Sequence, residues 1–160
     1  MKQIWAPWRL GYVQTAKKEK KGHCLFCEKY RSSKDKKNYV VKRGKHAFAI
    51  LNIFPYNNGH ILIAPNRHIA DIENLNKNEI IDMMSLLIDM KLLLKKHIKP
   101  NGFNIGINCG TVAGAGIPGH IHIHIVPRWE GDTNFMPIFS QTRVIPQSLD
   151  ALYSLLTKKR

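Results

Sequence analysis

Pro118-Gly119-His120-Ile121-His122-Ile123-His124-Ile125-Val126-Pro127-Arg128-Trp129 is the stretch from which the rest of the chain is read. Three histidines alternate with three isoleucines. A period of two is the pattern of a β-strand, whose successive side chains point to opposite faces of a sheet. The stretch therefore predicts a strand with Ile121, Ile123 and Ile125 on one face, where β-branched residues pack well. His120, His122 and His124 then share the other face, in steps of about 6.7 Å, twice the rise per residue. Three adjacent imidazoles on a packed face call for a polar partner, because burying polar groups without one is costly. A phosphate group or a metal ion would serve; a plain polar sheet face is the simpler alternative.

Before this strand lies a glycine-rich loop, Gly110-Thr-Val-Ala-Gly114-Ala-Gly116-Ile-Pro-Gly119. It lacks the Gly-Lys-Ser/Thr of a P-loop, and a strand rather than a helix follows it, which excludes a dinucleotide-binding turn. It reads either as an ordinary antiparallel connection or as a loop whose backbone N–H groups approach an anionic phosphate. Cys109 beside it reads as a small buried residue.

Farther upstream, Phe103–Asn108 is a predicted strand. Asn76-Lys-Asn-Glu79 resembles a capping box opening a helix that runs to about residue 98. Ile81, Met84, Ile88 and Leu92 form a predicted apolar stripe, widened by Ile80, Leu87 and Leu94, for packing on the core or on a second subunit. Tyr39–Arg43, His46–Leu51 and Gly59–Ala64 are predicted strands, with a turn cluster over 52–59. Residues 31–38 read as a loop. After the histidines, Gln147–Leu156 reads as a short amphipathic helix carrying Leu149, Leu152 and Leu156. Trp5, Pro7, Trp8, Arg9 and Tyr12 mark residues 1–15 as a segment packed on the domain or on a second subunit.

The chain has 160 residues, the size of one domain with a real core. Its net charge is +14, with lysines clustered at 17–21, 34–37 and 158–159. Such a balance raises nucleic-acid binding as a function. The clusters lie in polar connections with little aromatic interleaving, so a solvated surface is expected instead and nucleic acid is not an expected partner. The same field would speed encounter with polyanionic nucleotides. No apolar run approaches the ~20 residues of a membrane span. The N-terminus lacks a signal-peptide centre, and three cysteines do not suggest a disulfide framework. The cytoplasm is the expected location.

Two of those cysteines form Cys24-Leu-Phe-Cys27. Two thiolates at this spacing can hold one zinc ion at about 2.3 Å each, given two more ligands. A redox pair is the competing reading, but no helix-forming pattern follows in the manner of a thioredoxin motif. His68 taken alone reads as a surface residue at a helix entry, and His46 as structural.

His120-Ile-His122-Ile-His124-Ile-Val126 resembles the signature of the histidine triad (HIT) family. Phe48-Ala-Ile-Leu-Asn52 and Asn58-Gly59-His60-Ile-Leu-Ile-Ala-Pro65 resemble the strand, turn and strand upstream of it. The Trp-Ala-Pro-Trp-Arg opening and Arg128-Trp129-Glu-Gly-Asp132-Thr-Asn134-Phe-Met-Pro137 resemble the dinucleoside polyphosphate phosphorylase-type branch. The resemblance implies an α+β fold: an antiparallel sheet of about five strands with a long helix packed on one face. It implies a single domain over residues 1–160, with a zinc-binding extension (1–38), a core (39–129) and a C-terminal segment (130–160). It implies His122 as nucleophile, assisted by His124 and His120. Asn52, His60, Asn108, Gly114, Gly116, Asn134 and Phe135 are implied to bind substrate, Asn52 at the ribose and His60 near the phosphates. A structural zinc is implied on Cys24, Cys27, His68 and His120, with His46 as a competitor to His68. A homodimer is implied as well.

The implied activity is cleavage of dinucleoside polyphosphates through a nucleotidyl-histidine, released by inorganic phosphate or by water. Many hydrolytic members carry Ser or Gln four residues before the first triad histidine; here that place is Gly116, which moves the expectation toward phosphorolysis. Nucleoside phosphoramidate hydrolysis is the alternative enzyme reading. A zinc-stabilised nucleotide- or nucleic-acid-binding module is the alternative of another class.

Overall fold

The computed structural model describes residues 23–132 and 145–158. The expectations for residues 1–15, and those for Asn134 and Phe135, lie outside these residues.

Five strands form one antiparallel sheet: β1 (Val40–Arg43), β2 (Ala47–Leu51), β3 (Ile61–Pro65), β4 (Gly102–Ile107) and β5 (Ile123–Arg128). Their order is β1-β2-β3-β5-β4, so the histidine-bearing strand lies between β3 and β4. β5 begins at Ile123, later than the alternation suggests. The cause is local: the N–H of Ile121 donates to the carbonyl of Ile69 (2.7 Å) and that of His120 to Ile117 (3.3 Å). The backbone at 120 and 121 is thus held by neighbouring loops before the ladder starts. From Ile123 onward the pattern holds. Ile123 and Ile125 enter the core on the helix side, with Ile61 and Ile63 of β3.

That side is covered by the long helix, for which α1, α2 and α3 are numbered in chain order: α1 (Leu25–Arg31), α2 (Asp35–Asn38) and α3 (Lys77–Ile98). α3 begins as its sequence indicates. The Asn76 side chain accepts from the N–H of Glu79, and the Glu79 carboxylate accepts from the N–H of Asn76. Arg67 adds a two-pronged ion pair to the same carboxylate (2.9 and 2.9 Å).

The buried face of α3 is a correction. Met83, Leu86, Leu87, Met90 and Leu94 pack on the sheet. Ile80, Ile81, Met84, Ile88 and Leu92 are exposed, Ile88 by 56% and Leu92 by 59%. At 3.6 residues per turn the two stripes lie on opposite sides of the helix. α3 is apolar on both sides, so periodicity alone identified the outer stripe. Only Leu87 and Leu94 of the expected set face the core.

Residues 31–38 are not wholly loop, since α2 closes them. Its C-cap Tyr39 adopts a left-handed conformation (φ 57°) that turns the chain into β1. The last helix, α4 (Leu149–Thr157), buries Leu152, Tyr153 and Leu156, and the Tyr153 hydroxyl donates to the Val40 carbonyl (3.2 Å). The opposite sheet face carries a second, smaller core of Phe26, Val40, Phe48, Ile50, Leu62 and Ala64. The histidines lie at the edge of this second core. No helix among the described residues is long and apolar enough to cross a membrane.

Candidate active site

Two adjacent imidazoles form the centre. The rings of His122 and His124 lie 4.8 Å apart. His122 is 5% exposed, and Phe26 of α1 packs its ring 4.9 Å away. Burial lowers the pKa of His122 and so favours the neutral ring. His122 Nδ1 lies 2.8 Å from the carbonyl of His120. A carbonyl only accepts, so Nδ1 carries the proton and Nε2 keeps its lone pair.

His124 has the opposite polarity, and the residue that sets it is His60. The N–H of Tyr56 donates to His60 Nδ1 (3.1 Å), and Asn52 Nδ2 lies 3.2 Å from the same nitrogen. His60 Nδ1 is therefore an acceptor, and its Nε2–H points at His124 Nδ1, 3.0 Å away. The proton of neutral His124 then resides on Nε2. His122 offers a nucleophilic nitrogen and its neighbour a hydrogen-bond donor.

The turn that aims His60 depends on Gly59. Gly59 has φ +75°, and a Cβ there would meet Ile98 at 2.7 Å and Pro127 at 3.0 Å. Only glycine allows the turn to close against α3. On the other side of His124, β5 pairs with Gly106 of β4. A Cβ on Gly106 would meet nothing within 4 Å, so that flank has room for a ligand.

His120 faces away from this pair. It is wholly buried, and burial is the main cause of a pKa lowered to about 4. Its Nε2 donates to the carbonyl of Pro65 (2.9 Å), which leaves Nδ1 toward the cysteines. Cys24 Sγ is 3.3 Å and Cys27 Sγ 3.7 Å from His120 Nδ1, and Cys27 Sγ is 3.4 Å from His68 Nδ1. Tetrahedral zinc with sulfur at ~2.3 Å and nitrogen at ~2.0–2.1 Å requires ligand–ligand separations of roughly 3.3–3.8 Å. All four donor atoms lie within 4.8 Å of one another, so the set fits a closed zinc site. Burial also pushes the Cys24 thiol up, and a bound cation would reverse that shift.

His46 is not in this group. Its N–H and that of Ala47 donate to the Asp82 carboxylate of α3, which pins the β1–β2 turn. Contrary to the expectation for the Cys-x-x-Cys segment, a helix does follow Cys24: α1 contains Cys27 itself. The short helix forms because Phe26 anchors it in the second core.

A cavity of about 500 Å³ opens from the histidine pair. Leu25, Phe26, Ile50, Leu62 and Ile117 give it apolar walls; Gly116 and Asn52 line it as well. Asn52 holds its loop by accepting from the N–H of Phe54 (2.9 Å). Asn108 and Gly114 are not in the cavity wall, and Asn108 Nδ2 donates to the Gly114 carbonyl (3.4 Å). Gly114 (φ 91°) turns the chain back after the short 3₁₀ segment Thr111–Ala113. Cys109 is exposed, which corrects its expected burial. β4 ends at Ile107, so no sheet neighbour covers it.

The HIT-domain profile matches residues 33–131. The chain belongs to the HIT family. Over 154 residues it is 35% identical to the AP-4-A phosphorylase of Mycobacterium tuberculosis, which covers 93% of this chain and 79% of that protein. A 93-residue stretch is 32% identical to the asymmetrical bis(5'-nucleosyl)-tetraphosphatase of Schizosaccharomyces pombe, covering 58% of this chain and 50% of that one. A crystal structure of a zinc-bound histidine triad family protein from Mycobacterium smegmatis shares the fold, with a TM-score of 0.66 at 24% identity over 84% of this chain and 90% of the other.

In this HIT chain, sequence reasoning missed several residues of the site. Phe26 was hidden inside the cysteine motif. Tyr56, whose ring stacks on His124 (5.8 Å, 6° between planes), lay in a turn cluster read only for its asparagines, glycine and proline. Asn38 lay in a segment read as a polar loop, and Lys29 had no reading at all. An aromatic ring in a turn was the one usable signal.

Proposed function

We propose that this HIT protein cleaves dinucleoside polyphosphates such as diadenosine tetraphosphate by nucleotidyl transfer through His122. The observation that carries this reading is the proton placement: Nδ1–H of His122 is held by a carbonyl at 2.8 Å, so Nε2 presents a lone pair to the cavity. The chain is an enzyme of the HIT hydrolase and transferase type.

His122 Nε2 attacks the α-phosphorus. A nitrogen–phosphorus bond forms and the bond to the bridging oxygen breaks, releasing a nucleoside polyphosphate. His124 Nε2–H and the loop N–H groups around Gly116 stabilise the oxygens on which charge develops. Inorganic phosphate or water then takes the nucleotidyl group. Gly116 supplies no side chain to direct water or the leaving group, which favours phosphate as acceptor. Asn52 is assigned to the ribose hydroxyls.

Cys24, Cys27, His68 and His120 would hold a structural zinc, which supplies a cross-link between α1 and the start of the histidine strand. The His120 Nε2–H bond to Pro65 sets the ring orientation for that role. Residues 1–160 form one domain with an N-terminal zinc-binding extension, acting in the cytoplasm as a homodimer. The exposed α3 stripe around Ile88 and the edge strand β4, with Ile105 44% exposed, are the surfaces a second copy would cover.

The test is incubation with diadenosine tetraphosphate, with and without inorganic phosphate, followed by product separation. ADP plus ATP only with phosphate is the expected result. AMP plus ATP in both cases would make water the acceptor. No products would overturn the reading in favour of phosphoramidate hydrolysis or a binding module.

A further inference from the structure

The end of the cavity away from the histidines is polar and built, and the reaction above does not use it. It carries Lys29, Lys37 and Asn38. Lys29 lies one helical turn beyond Phe26 on α1, so the two share a face. Lys29 Nζ donates to Asn38 Oδ1 (2.9 Å). An ammonium only donates, so this contact fixes the amide: the oxygen is engaged and the NH2 is turned elsewhere. Asn38 is 8% exposed.

The pair is held by a single guanidinium. Arg43 donates to the carbonyls of Lys29, Tyr30 and Ser32 at the end of α1, and to the Asp35 carboxylate at the start of α2. α1 and α2 are thus locked together, and with them Lys29 and Asn38. A ligand reaching this end meets the ammonium groups of Lys29 and Lys37, with the Asn38 amide beside them.

We propose that this end reads the edge of the nucleobase and prefers a 6-oxopurine, guanine or hypoxanthine, over adenine. The inference rests on the nucleotide reading above. Guanine and hypoxanthine present two acceptors, O6 and N7, on the edge where adenine presents a donor, N6–H2, beside N7. Lysine pairs with O6 and N7. The Asn38 oxygen keeps a second lone pair that could accept from N6, but the Lys29 ammonium seated on that oxygen repels the amino group. The apolar walls accept any purine; the polar end selects.

The experiment is calorimetric titration of the protein with GMP, IMP and AMP. IMP isolates O6, since it lacks the 2-amino group. GMP and IMP are each expected to bind on the order of tenfold more tightly than AMP. Lys29→Met keeps the stem and removes the donor, and should bring the ratio near one. Asn38→Asp replaces the amide donors with acceptors, and should shift the preference toward AMP. Melting curves identify a variant that fails to fold, and the other then carries the test. Equal binding in the wild-type protein, tighter AMP, or a ratio unchanged in the folded variants would overturn the proposal while leaving nucleotide binding intact. Binding of none of the three would overturn the nucleotide reading along with it.

Discussion

A free imidazole at neutral pH is divided between charged and neutral forms and between two tautomers. At His122 the fold removes both choices. Burial disfavours the charge, and the His120 carbonyl fixes the proton on Nδ1. His122→Ala should keep the fold and lose turnover by at least about 10³-fold, measured as steady-state cleavage of diadenosine tetraphosphate. The pH dependence follows from the same burial. Protonation at Nε2 removes the nucleophile, and a lowered pKa delays protonation to more acid solution. The acid limb of kcat/KM should therefore lie below the ordinary histidine value of about 6.5. A limb at or above that value would contradict a buried, neutral nucleophile. The alternation of 120–126 made the histidine face legible in the sequence. The proton placements were not: that of His122 depends on the direction of the His120 carbonyl, and that of His124 on His60 and Tyr56, held at the turn of Gly59.

Each element is fixed by contacts of a different reach. The start of α3 was legible because its capping box is local: four consecutive residues carry it. The buried face of α3 was not, because both stripes are apolar and only the sheet decides between them. Arg67 holds the Glu79 carboxylate below the usual range. A lowered carboxylate pKa contributes stability above the unfolded value of about 4.3, and this is lost as pH falls through the folded value. Glu79→Gln should cost about 1 kcal/mol in denaturant unfolding at neutral pH. That difference from wild type should shrink in acid.

α1 depends on the cysteine and histidine cluster. With free zinc at 100 times its Kd, a bound ion contributes about 2.7 kcal/mol. Chelation, or Cys27→Ser, should then lower Tm by on the order of 5–10 °C in calorimetry. Because α1 carries Leu25, Phe26 and Lys29 into the cavity, chelation should also weaken nucleotide binding. An unchanged Tm together with no zinc by elemental analysis would remove the metal from the account.

At the scale of the whole molecule, the five-stranded antiparallel sheet was legible only through the family resemblance and its strand order was not legible, since strand pairing is a long-range property that periodicity does not encode. β5 could be recognised as a strand from its alternation, but its place between β3 and β4 could not. Ile81, Met84, Ile88 and Leu92 leave one side of α3 apolar and exposed. If this face joins two copies, Ile88→Lys should convert a dimer to a monomer in analytical ultracentrifugation, because a buried lysine without a partner is costly. A wild-type monomer at micromolar concentration would contradict the assembly. The net charge of +14 acts at this scale too. kcat/KM for a polyphosphate substrate should fall as salt screens the field, with kcat little changed.

The most direct test of nucleotidyl transfer through His122 is intact-protein and peptide mass spectrometry after rapid mixing with diadenosine tetraphosphate and quenching at neutral or alkaline pH. The account predicts one adenylyl group on the peptide containing His122, absent in His122→Ala and discharged by inorganic phosphate. Turnover by the wild-type protein with the adduct on another residue, or undiminished turnover by His122→Ala, would contradict it.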